Sequence, residues 1–112
     1  MEESILISIK KLLGIDKDNK DFDTDVIMHI NTALLTLNQI GVGPAEGFLI
    51  EDDSATWEDL LVDRKDLDAA KTHIYLKVKL VFDTPLNSSV IKANKESINE
   101  LEWRLNLQAE SK

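Results

Sequence analysis

The carboxylates are the side chains best placed to do chemistry in this chain. Acidic pairs stand at Asp52-Asp53 and Glu58-Asp59, with Glu51 beside the first. Paired carboxyls act as general acid and base when an apolar pocket raises the pKa of one of them. Nothing around these pairs supplies such a pocket, and the stretch reads as an exposed loop. A second acid-rich run, residues 16–25, raises the question of calcium. An EF-hand loop needs acids at its first, third and fifth positions, glycine at the sixth and a bidentate glutamate at the twelfth. A frame begun at Asp16 puts Lys20 fifth and Asp21 sixth. A frame begun at Asp21 puts Val26 sixth and Thr32 twelfth. Both frames fail, so the run reads as a polar connector in which Asp23 caps the next helix and Phe22 staples onto Ile27. His29 has no second histidine at a four-residue spacing and reads as a polar helix residue, not a metal ligand.

Other chemistries lack their residues. The chain has no cysteine, which excludes disulfides and thiolate metal sites. It has no phosphate-binding glycine loop, no HExxH and no GxSxG. No helix presents the basic face of a helix-turn-helix reader. The sequence therefore predicts no enzyme, no cofactor and no metal.

Charge narrows the partners. The 112 residues carry a formal net charge of -8. A chain this acidic does not hold DNA through its bulk field, although DNA can pass beside it without sticking. The acid is concentrated in residues 46–68, and Glu51, Asp52, Asp53, Glu58 and Asp59 form a candidate acidic patch. That patch is either a solvated face or a surface that meets a basic partner or repels a polyanion. No apolar run approaches the ~20 residues needed to span a bilayer. The opening Met-Glu-Glu is not a secretory signal, and a cytosolic setting fits.

The elements that position these groups read as helices. Residues 4–13 form a short amphipathic helix with Ile5, Ile9, Leu12 and Leu13 on one face; Lys10 and Lys11 suit its C-terminal dipole. Gly14 followed by Ile15 fits a Schellman stop. The central helix spans about residues 24–40, with Val26, Ile30, Ala33, Leu34, Leu37 and Ile40 on its core stripe. Gly41 suits a left-handed cap, and Gly43-Pro44 prevents continuation. Residues 47–50 are at most one arm of a minor hairpin. Ser54 or Thr56 caps a brief helix over 57–62, and Trp57 is either a plug that pins this loop to the core, the commoner role of such an aromatic, or a contact for another chain.

Residues 66–82 are ambiguous. Leu67, Ala70, Ile74, Val78 and Val81 follow a helical stripe, while Ile74, Leu76, Val78, Leu80 and Phe82 alternate as a strand would. Length decides for helix. A second stripe of His73, Leu76 and Leu80 implies burial on two sides, at the centre of the fold or in an oligomer contact. Asp83-Thr84-Pro85 stops this helix. The last helix spans about residues 89–107, with Ile91, Ile98, Leu101 and Leu105 inward. Trp103 points about 200° away from Leu101. Trp103, supported by Arg104, is thus a candidate protein interface, the alternative being that it covers the core edge under the 48–57 loop. Residues 108–112 are expected to fray. The fold class is all-α, a single domain over residues 1–112 with about four principal helices in a small bundle and a long ordered loop between the second and third.

Three segments taken together resemble the small head–tail connector family of tailed bacteriophages and prophages. They are residues 22–50 with HINTALLTLNQIGVGPAEGF, residues 69–85 reading AAKTHIYLKVKLVFDTP, and residues 100–106 reading ELEWRLN. Asp83-Thr84-Pro85 stands where the family's Asp-Pro-Pro is expected, a departure that keeps the helix stop. The resemblance implies a mostly helical structural subunit that oligomerises as a ring beneath the portal, in the virion neck. Such a ring joins the DNA-filled head to the tail and continues the DNA conduit. Its implied partners are the portal protein and a head-completion or tail protein, met in the host bacterial cytoplasm during assembly. DNA would pass without specific binding. It implies no catalytic residues. The competing reading, from composition alone, is a small acidic binding module or regulator that masks a basic protein.

Overall fold

The computed structural model describes residues 4–44, 46–61, 69–82 and 87–110. Five helices are present among them: α1 (Ile5–Leu13), α2 (Asp23–Gln39), α3 (Trp57–Leu61), α4 (Ala70–Phe82) and α5 (Ser88–Glu110). α4 packs most extensively on α2 and next on α5, while α1 touches both α2 and α4. The fold is all-α, and no strand forms among the described residues. The minor hairpin considered near Phe48 is therefore not seen there; an isolated antiparallel bridge joins Ser4 to Thr56 instead.

Local signals set the helix ends. Ser4 Oγ accepts the Ile7 N–H at 3.2 Å, capping α1. At the other end Gly14 takes φ 83°, its N–H bonds Lys11 O at 3.1 Å, and the Ile15 N–H bonds Lys10 O at 2.8 Å. That is the Schellman pattern expected of a glycine that accepts a left-handed backbone. α2 ends the same way: Gly41 has φ 96°, and the Gly41 and Val42 N–H groups bond Asn38 O and Leu37 O. A side chain at Gly41 would also approach the Ala109 Cβ to 3.2 Å, so α5 passes close to α2 at this stop. Thr56 and Asp59 cap α3 reciprocally, Thr56 Oγ1 accepting the Asp59 N–H and Asp59 Oδ2 accepting the Thr56 N–H. Asn87 Oδ1 accepts the Ser89 N–H at 2.7 Å and opens α5.

The core lies between α1, α2 and α4. Ile5, Ile9, Val26, Ile30, Leu37, Ile74 and Val78 are buried there, and Ile98 and Leu105 of α5 reach buried positions. Trp57 plugs the 44–56 loop into this core, donating from Nε1 to Ser8 Oγ at 3.1 Å. The helical reading of residues 70–82 holds, because Ala70, Ile74 and Val78 recur at one helical face. Val81, placed on that stripe from sequence, is exposed, and residues 66–68 and Asp83-Thr84-Pro85 lie outside the described residues. α5 runs to Glu110, and Asn106 Nδ2 donates to Ile40 O at 3.1 Å and ties this helix to the α2 terminus; residues 111–112 lie outside the described residues.

Two local expectations change. Asp23 does not cap α2, whose N-terminus has no side-chain cap. Phe22, expected on Ile27, stacks edge-on against Phe82 with ring centroids 5.6 Å apart. Lys10 and Lys11 do stand in the last turn of α1, but Lys10 is only 1% exposed.

Candidate interaction surfaces

The connector after α1 folds around the Lys10 ammonium. Its Nζ donates to Asn19 O at 2.7 Å, to Asp23 Oδ1 at 2.7 Å and to Lys17 O at 3.2 Å. An ammonium has three protons, and each finds an acceptor. One carboxylate of the acid-rich run and two of its backbone carbonyls thus enclose a cation the chain supplies itself. Among the described residues no group of three or more histidine, cysteine, aspartate or glutamate side chains is arranged to hold a metal.

The acidic patch is spread over the surface. Glu51, Asp52, Asp53, Glu58 and Asp59 are all exposed. The Ser54 hydroxyl and then its backbone N–H bond Asp52 Oδ1, at 2.6 Å and 2.9 Å, and hold that carboxyl below its ordinary value. A carboxyl kept ionised in water is not poised for proton transfer, and Asp59 is committed to the α3 cap.

The second stripe of α4 splits between interior and surface. His73 is 0% exposed, while Leu76 and Leu80 are half-buried. His73 Nε2 lies 2.9 Å from Glu102 Oε2 on α5. A carboxylate only accepts, so the neutral imidazole carries its proton on Nε2, and the buried Nδ1 has no partner among the described residues. Burial pushes the His73 pKa below its ordinary 6.5, against the opposing hydrogen bond from Glu102. Lys77 Nζ stands 3.8 Å from the same Glu102 oxygen and donates to Thr36 Oγ1 at 3.2 Å. This polar cluster joins α4 to both α2 and α5.

Above it, a groove of about 290 Å³ runs between α4 and α5, lined by Thr72, Leu76, Ser97, Glu100, Leu101 and Arg104. Arg104 grips Glu100 one turn back through Nη2 at 2.8 Å and Nε at 2.9 Å. Trp103 stands beside Arg104 and is 63% exposed. The structure so brings Leu76 and Arg104 to one groove, leaves Trp103 exposed, and buries His73. Sequence reasoning missed the Lys10 enclosure; a lysine beside the apolar face of α1, shortly before an acid-rich turn, was the available signal.

A family model described as phage connector protein matches residues 5–112. The chain belongs to that family. Membership gives the connector a structural role in a phage. No curated protein and no solved structure matches the connector. No described helix of the connector is long and apolar enough to cross a membrane.

Proposed function

We propose that this connector assembles as a ring beneath the portal, in the virion neck, and joins the DNA-filled head to the tail. α5 carries the contact with neighbouring chains through Trp103 and Arg104, flanked on α4 by Leu76 and Leu80. The observation that supports this most is the exposure of Trp103 on a helix already docked through Ile98 and Leu105. An indole left in water forgoes a large apolar burial, and Trp and Arg are the residue types that concentrate binding energy at interfaces. The fork of Arg104 is held by an exposed ion pair, which is worth little and is easily exchanged for a partner's carboxylate. His73 supports the surface from beneath by fixing α4 to α5. The portal and a head-completion or tail protein are the further partners. The patch of Glu51, Asp52, Asp53, Glu58 and Asp59 lets DNA pass without holding it, because like charge repels a polyanion.

Trp103→Ala tests the reading. The variant is expected to keep the melting temperature of the isolated subunit and to lose ring formation or portal binding, followed by light scattering with and without the portal protein. A sharp fall in melting temperature with normal assembly of the folded fraction would move the interface away from α5.

A further inference from the structure

Beyond the α5 surface, a second groove lies on another side of α2. It holds about 410 Å³ between Leu34, Leu35 and Asn38 of α2 and residues 46–49 of the following loop. Thr36, which faces α4 through Lys77, is about 140° around the helix from Asn31, which faces this loop. The two surfaces are therefore separate, and a role for the second groove does not depend on α5 being the assembly face.

The loop wall is held open in an unusual way. The Asn31 side-chain amide donates to Ile50 O at 3.0 Å and accepts the Ile50 N–H at 2.8 Å. One amide reaches both groups of a single residue only when they point the same way, as they do in a strand. Ile50 is thus fixed in extended form and buried, with an asparagine standing where a neighbouring strand would be. The residues just before it have no such substitute. The backbone N–H and C=O groups of Phe48 and Leu49 make no hydrogen bond with any described residue. Their apolar side chains border the groove, with Leu49 63% and Leu35 57% exposed. Unpaired backbone beside exposed apolar surface is what an added strand uses: ladder bonds for affinity and alternate side chains for specificity.

Charge names the occupant. Glu46 lines the groove, and Glu51, Asp52 and Asp53 stand directly after its wall, all exposed. Among the described residues none of Glu46, Glu51 and Asp53 meets a basic side chain. We infer that the groove between α2 and residues 46–49 is a docking site for an extended segment of another polypeptide, with apolar residues on one face and lysine or arginine on the other. The apolar face fills the space between Leu35 and Leu49, the backbone pairs with Phe48, whose N–H and C=O in a strand point to the same edge as those of Ile50, and the basic side chains meet the acids at the rim.

The test uses the full chain, labelled with nitrogen-15, and a capped synthetic peptide of about eight alternating lysines and valines, the length of an ordinary strand. Saturable amide shifts are expected at Leu35, Phe48, Leu49 and Ile50. Binding should weaken about tenfold or more in the double variant Leu35→Ser, Leu49→Ser, whose exposed positions leave the fold intact. A peptide N-methylated at alternate residues, unable to complete the ladder, should also lose affinity about tenfold. The inference is overturned if no saturable shifts occur. It is equally overturned if shifts stay at residues 51–53 and a peptide with its lysines and valines in separate blocks binds as well, or if N-methylation changes nothing. Those results would leave only a diffuse attraction between opposite charges.

Discussion

His73 Nε2 and Glu102 Oε2 meet at 2.9 Å and join α4 to α5 across 29 residues of sequence. Because burial holds the His73 pKa below 6.5, the folded subunit binds this proton less readily than the unfolded chain. By linkage, the contribution is present in full above the unfolded value and is lost as pH falls below it towards the folded one. The melting temperature should therefore fall as pH is lowered from about 7 to about 5, before most carboxylates titrate. In His73→Phe the drop over that interval should be smaller. An equal slope in the two proteins would place the titrating group elsewhere.

Lys10 should be the costliest polar side chain to remove. Lys10→Met leaves Asp23 and two carbonyls without their donor, and the loss expected from breaking a buried pair is about 3–5 kcal/mol. Urea denaturation measures it. Lys10→Arg should not restore the wild-type value, since a planar fork does not reproduce three donors converging from one nitrogen.

Because Lys10 already occupies Asp23 Oδ1 and two backbone carbonyls of the 16–25 connector, and its acids do not gather into a ligand set among the described residues, calcium or zinc at micromolar concentration should leave the melting temperature unchanged. Ligands that bind the native state raise it by mass action, so a clear increase would reveal a metal site.

Leu34→Ala and Leu37→Ala should each cost about 2–5 kcal/mol, the usual range for truncating a buried aliphatic. Both side chains are at most 2% exposed. A loss well under about 1 kcal/mol by denaturant titration would show that the surrounding core collapses into the space.

What the sequence determined by itself is what short-range chemistry encodes. Gly14 and Gly41 stop α1 and α2 because a left-handed backbone position selects glycine wherever it occurs. Ser4, Thr56 and Asn87 start helices because their side chains reach N–H groups two or three residues on. The period of Val26, Ile30, Ala33, Leu34 and Leu37 placed α2, while the position of Trp103 off the stripe of Ile98 and Leu105 left both an exposed indole and a cover over the core edge open. Tertiary structure decided the contacts between residues far apart in the chain. Lys10 closes on Asp23 across 13 residues, and Asn31 on Ile50 across 19. Helical period and neighbouring residues do not say which segment Lys10 or Asn31 meets; that is set by which side of each helix another part of the chain packs against. Residues 47–50 show the limit most clearly. Their apolar character suggested a strand arm, but a strand needs a partner, and in this subunit the nearest candidate position is held by the amide of Asn31.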